Sequence, residues 1–121
     1  MNVLEATEFC LSLSSVIERD SGHPANVFSF SVGGKKFAYY KTSEPEKGRF
    51  SMRVTPERFL ELTDQTGIKP AKYMGRFHWI TIVNIDFFDE EYLKDLVRWS
   101  YNRAVSSLSK KAQAEIVSKV N

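Results

Sequence analysis

The spacing of apolar residues changes period along this chain, and each change marks an element. From Val3 to Val16 apolar residues recur at helical intervals, with Ala6, Phe9, Cys10, Leu13, Val16 and Ile17 on one stripe. Ser12, Ser14 and Ser15 compete for backbone hydrogen bonds at the far end, so the spacing predicts a helix that stops near Ser14. Asp20 to Asn26 gathers Asp, Ser, Gly, Pro and Asn, the chemistry of a turn. The period then becomes two: Phe28, Phe30 and Val32 alternate with serines, and Phe37 and Tyr39 alternate with Lys36 and Ala38. Gly33-Gly34 separates the two runs and suits a type I′ turn, which needs positive φ at both central residues. A two-residue loop sets Val32 opposite Lys35, Phe30 opposite Phe37 and Phe28 opposite Tyr39. All four rings then lie on one face.

Beyond the polar stretch Thr42 to Gly48, Phe50, Met52 and Val54 alternate with Arg49, Ser51 and Arg53 and predict a third strand with a solvated basic face. Thr55-Pro56 supplies an N-cap and an N1 proline for a helix carrying Phe59, Leu60 and Leu62, with Gly67 as its C′ residue. Ile68 to Gly75, with Pro70, reads as a loop. Phe77 to Ile85 is nearly continuously apolar around Trp79–Val83, the pattern of an interior strand. Asp89 caps a long helix with Glu90 and Glu91 in its first turn and Leu93, Leu96, Val97, Tyr101, Ala104, Val105 and Leu108 on its apolar stripe. Ala112 to Val120 reads as a helical tail. The order predicts an α+β fold, a two-layer sandwich of an antiparallel sheet with helices on one face, spanning residues 1–121 as a single domain with 112–121 as its C-terminal extension.

Composition narrows the chemistry. With 121 residues, 42% of them hydrophobic, the chain can fill one core without staples. Its one cysteine, Cys10, lies among Phe9, Leu11 and Leu13 and reads as a buried structural thiol; a secreted disulfide scaffold is excluded, and the expected location is cytoplasmic. No apolar run approaches the length of a membrane span. His23 and His78 are isolated from each other and from Cys10, so no zinc spacing arises and neither is placed as a catalytic base. Val32-Gly33-Gly34-Lys35-Lys36 lacks the spacing of a phosphate loop and lies in a hairpin. The expectation is a protein that is not an enzyme and takes no cofactor and no metal.

Charge points to a partner instead. The chain has 17 basic and 15 acidic residues, yet Lys35, Lys36, Lys41, Lys47, Arg49 and Arg53 fall within one stretch, and Lys69, Lys72 and Arg76 within another that has no acid. Alternation puts Lys36, Arg49 and Arg53 on the face opposite the aromatic core. Such a cluster suits phosphate contacts that are sensitive to salt and indifferent to sequence.

These landmarks resemble the MmcQ/YjbR-like family of small bacterial proteins. Val32-Gly33-Gly34-Lys35-Lys36-Phe37-Ala38 is similar to that family's "VGGKxFA" hairpin, and Arg53-Val54-Thr55-Pro56-Glu57-Arg58 to its "LKxxPER" segment. Pro70, Tyr73-Met74, His78-Trp79, Ser100-Tyr101 and Leu108-Ser109-Lys110-Lys111 follow in the family's order. Departures are Arg53 where lysine is usual, Gly75-Arg76-Phe77 where the family has Asn-Lys before the histidine, and a weak match over the first thirty residues. The resemblance implies a fold like that of the bacterial frataxin CyaY and DNA binding by a "double wing". It brings no catalytic residues. The acidic ridge with which frataxins hold iron is missing, since the first helix offers only Glu5 and Glu8. The leading expectation is therefore a DNA-binding or nucleic-acid-associated module with Lys35, Lys36, Arg49, Arg53, Lys72 and Arg76 on phosphates. The alternative is a protein–protein interaction module presenting Tyr40, Tyr73 and Trp99. A small-molecule role would require a pocket around His78 and Tyr73.

Overall fold

The computed structural model describes residues 1–120, and side chains through residue 116. Helix α1 (Val3–Ser12) begins in a capping box, Asn2 accepting from the Glu5 amide and the Glu5 carboxylate accepting from the Asn2 amide. It ends earlier than the spacing predicts. Leu13 is extended and Ser15 turns at φ 63°, which carries Val16 and Ile17 out of the helix into strand β1 (Val16–Ser21). Strands β2 (Val27–Val32), β3 (Lys35–Lys41) and β4 (Phe50–Arg53) follow, then helix α2 (Pro56–Thr63), strands β5 (Ile68–Pro70) and β6 (Trp79–Ile82), and helices α3 (Glu90–Ser106) and α4 (Lys110–Val120). The expected helical tail is thus α4, while Asn121 lies outside the described residues. All strand pairs are antiparallel, in the order β1-β2-β3-β4-β6-β5, so the fold is α+β as expected and β6 is interior.

Two strands replace expected turn or loop. β1 takes Asp20 and Ser21 from the turn; its exposed Glu18, Arg19 and Asp20 suit an edge. β5 takes Ile68 to Pro70 from the loop, and its proline is tolerated because that edge needs no further donor. At α2 the expected caps divide. Thr55 accepts from the Arg58 amide and Pro56 sits at N1, but Asp64 closes the helix, and Gly67 at φ 87° turns the chain into β5.

The core fills one side of the sheet. Phe30, Phe37, Phe50, Met52, Ile80 and Ile82 meet Ala6 and Cys10 of α1, Leu62 of α2 and Leu93, Leu96, Val97 and Tyr101 of α3. The hairpin register differs from the expected one. Val32 faces Lys35 as the turn dictates, but a bulge after Phe30/Ser31 pairs Phe30 with Ala38 and Phe28 with Tyr40. Phe37 and Ala38 are both buried, Tyr40 packs inward on Phe28 and Phe30, and Tyr39 turns to the other face.

The bulge has a partner on α3. Ser100 donates to the Phe37 carbonyl at 2.6 Å and accepts from the Arg53 amide at 3.2 Å, bridging the β3–β4 ladder just beyond its last pair, Ala38 with Met52. This explains a buried serine within the apolar stripe of α3. Ser100→Ala strands a buried donor and a buried acceptor, so we expect a loss of about 2–4 kcal/mol in urea unfolding; wild-type stability would refute the bridge.

Cys10 is fully buried, and burial pushes its thiol pKa up from 9.0 to about 12. The native protein should therefore be inert to aromatic disulfide reagents near pH 8 and react fully once denatured. Because the folded thiol holds its proton to a higher pH than the unfolded one, its contribution to stability is intact below pH 9 and is lost as pH rises toward about 12. Equilibrium unfolding across that window, compared with Cys10→Ala, isolates the slope.

Candidate functional site

With the aromatic core on one side, the other side of β3, β4 and β6 has no helix over it, and alternation decides what it presents. Lys36, Tyr39 and Lys41 project there from β3, Ser51 and Arg53 from β4, and Trp79 and Thr81 from β6. The Lys72–Met74 segment rises along one flank, and Ala25 and Glu46 along the other. Between them lies a groove of about 800 Å³.

The floor is well ordered. Tyr39 stacks on Trp79 with ring centroids 5.8 Å apart, and the Ser51 and Thr81 hydroxyls share a 2.7 Å hydrogen bond across the β4–β6 pair. Ser51 is buried rather than solvated, so the expected basic face of β4 is basic only at Arg49 and Arg53. Tyr73 stands out from the flank with 86% of its surface exposed, held at φ 67° with the Lys72 ammonium 5.4 Å from its ring. Lys36 lies 5.5 Å from the Tyr39 ring.

Six cations line this groove, namely Lys36, Lys41, Arg49, Arg53, Lys69 and Lys72, against one acid, Glu46. The ion pairs among the described residues lie elsewhere, at the N-terminus and along α3: Met1 with Glu90, Lys94 with Glu90 and Glu91, and Arg98 with Asp95. Lys41 donates at 2.8 Å to the Ala25 carbonyl, a neutral acceptor that leaves its charge uncancelled. The face thus carries a concentrated positive potential.

Of the residues placed on phosphates from sequence, Lys36, Arg49, Arg53 and Lys72 line the groove together. Lys35 lines a smaller notch beside it, of about 210 Å³, which it shares with Lys36, Arg53 and Arg103. Arg76 lies over Phe77 at 4.8 Å and is not among the groove's lining residues. Sequence reasoning counted Lys41 and Lys69 in the two basic clusters without placing them on phosphates, and it missed Arg103, which no local pattern ties to Arg53. It also left Trp79 unassigned to a face. His78 packs edge-on against Phe59, its carbonyl accepting from the Val54 amide at 2.9 Å, and does not line the groove. Among the described residues no three His, Cys, Asp or Glu side chains form a metal-binding group, and no helix is long and apolar enough to cross a membrane.

Comparison with known proteins places the chain. The YjbR family model matches residues 11–103. The uncharacterized protein YbdF of Escherichia coli O157:H7 is 27% identical over 97 residues, covering 72% of this chain and 71% of YbdF. A Deinococcus radiodurans protein with a DUF419 domain superposes with a TM-score of 0.81 at 26% identity, over 96% of this chain and 88% of that one. A Pseudomonas syringae protein shares the fold with a TM-score of 0.67 at 17% identity, over 86% of this chain and 99% of its own. A family match that runs from the end of α1 to the last turn of α3, and so takes in every strand of the sheet, identifies the chain as a member of the YjbR family.

Proposed function

We propose that this chain is a cytosolic nucleic-acid-binding module that takes a single-stranded segment along the open face of its sheet. Phosphates lie on Lys36, Arg49, Arg53 and Lys72, and a base rests on Tyr73. The observation that carries this reading is the groove itself, six cations to one acid around an aromatic floor. Basic grooves with aromatic platforms bind single strands by combining backbone charge with stacking. The dimensions favour the same choice. A cleft of about 800 Å³ has room for a short run of nucleotides, and aromatic side chains can stack on the bases that a single strand leaves open. The β2–β3 hairpin with Lys35 and Lys36 and the Lys72–Arg76 segment then act as the two wings.

A protein-docking role draws less support from the geometry. Tyr40 packs on Phe28 and Phe30, and Trp99 lines a separate cavity beside α3 with Arg58 and Asp95. Of the three aromatics, that leaves Tyr73 in the groove.

Anisotropy of a labelled oligothymidylate tests the reading. Four phosphate contacts give a slope of log affinity against log salt of about −3 between roughly 50 and 200 mM. The triple variant Lys36→Glu/Arg49→Glu/Arg53→Glu should abolish binding, and a duplex of equal length should bind more weakly than the single strand. Unchanged affinity in the triple variant would sink the proposal.

Tyr73 separates function from stability. A non-glycine residue in the left-handed region costs on the order of 1–2 kcal/mol, part of which glycine returns as chain entropy. Tyr73→Gly should leave the unfolding midpoint unchanged or raised. Affinity should fall by about 1–3 kcal/mol as the stacked base is lost. A drop in stability with affinity retained would contradict both parts.

A further inference from the structure

The notch beside the groove is a different kind of site from the groove it adjoins. Lys35 and Lys36 at the hairpin turn form one wall, and Arg103 on the last turn of α3 with Ser107, its C-cap, form the other. Arg53 and Trp79 link it to the groove. Its volume, about 210 Å³, suits a phosphate group with a few waters and is too small for a nucleoside and its phosphate together. Four cations meet there, none paired with a carboxylate of any described residue. Burial, and then the neighbouring Arg103 guanidinium, hold Arg53 below the usual arginine range. The C-terminal end of α3 opposes an anion here, but a helix end acts as only about half a charge, outweighed by four full cations around the notch.

We propose that this notch is a binding site for a phosphate monoester, and that in the bound nucleic acid it holds the phosphate at the end of the strand. A monoester carries nearly two negative charges near neutral pH, because its second ionisation lies at about pH 6, whereas an internal phosphodiester carries one. Clustered guanidiniums and ammoniums discriminate in favour of the doubly charged group through charge-assisted hydrogen bonds. Because Arg53 and Trp79 line both cavities, a strand whose terminal phosphate sits in the notch enters the groove directly. The assignment of a strand end rests on the groove reading above; the monoester chemistry of the notch does not.

The test compares oligothymidylates with 5′-phosphate, 3′-phosphate or hydroxyl ends, together with thymidine monophosphate, on wild type and Arg103→Gln at about pH 7.5. Arg103 is exposed, so the variant should fold, which its melting curve checks. One phosphorylated end should bind about tenfold tighter than the hydroxyl-ended strand, and Arg103→Gln should remove that gain while leaving the hydroxyl-ended strand nearly unaffected. Equal affinities for all strands would overturn the notch assignment and leave the groove reading standing. If no strand binds but thymidine monophosphate shifts the Arg103 side-chain NMR resonance, the notch is a monoester site for a small ligand and the groove reading fails. If neither strand nor monophosphate binds, both fall.

Discussion

One hydroxyl group holds the arrangement on which the site depends. Ser100 joins the Phe37 carbonyl to the Arg53 amide at the place where an extra residue in β3 interrupts the ladder. Strict alternation from Lys35 would send Phe37, Tyr39 and Lys41 to the core side and Ala38 and Tyr40 outward. A lysine and a tyrosine hydroxyl would then need burial among phenylalanines, at a cost of several kcal/mol without partners. The bulge resolves the conflict by placing Phe37 and Ala38 inward together, after which Tyr39 and Lys41 face out and Tyr40 faces in. The bulge interrupts the β2–β3 ladder, and on the other edge of β3 the Ser100 hydroxyl carries the β3–β4 bridging one residue beyond Ala38 and Met52. The Tyr39–Trp79 stack and the position of Lys41 both follow from that exchange.

The second constraint is that the helices keep to one side. A sheet covered on both faces needs apolar residues on both, yet here β4 offers Ser51 and Arg53 to the open face and β6 offers Thr81. Trp79 is the exception, and it is covered by Tyr39 rather than by a helix. The Ser51–Thr81 hydrogen bond satisfies the polar atoms beneath. What remains is a floor that needs no covering element, ringed by cations that form no ion pair among the described residues. Ion pairing serves the outer surface of α3 instead, where Lys94 and Arg98 meet Glu90, Glu91 and Asp95. Like charges held together lower stability, a cost that the anionic partner proposed above would offset.

Much of this was legible in the sequence, and the failures have identifiable causes. Turn chemistry at Gly33-Gly34, the Thr55-Pro56 cap and the Asp89 cap located their elements because each is a local signal with a local mechanism. β1 was hidden because Val16 and Ile17 continue the helical spacing of α1, and because an exposed edge strand lacks an apolar face. β5 was hidden by its three-residue length and its proline. The bulge left two oblique traces: Lys41 on the core side of a strict alternation, and Ser100 within the apolar stripe of α3. Neither is decisive without the other, since the donor lies 63 residues from its acceptor. The site was legible where alternation fixed a face, as at Lys36 and Arg53. It was illegible where distant segments converge, as at Arg103.

Arg53 ties these threads together. Its amide is held by Ser100, its neighbours Met52 and Val54 are buried, and its side chain consequently has one face available. There it borders both the groove and the notch, where burial, and then the Arg103 guanidinium, hold it below the usual arginine range. The residue whose amide donates to the Ser100 bridge is thus also one of three, with Lys36 and Trp79, that line both cavities. A substitution at Arg53 therefore acts on groove and notch together, whereas Arg103 reaches only the notch and can report on it alone.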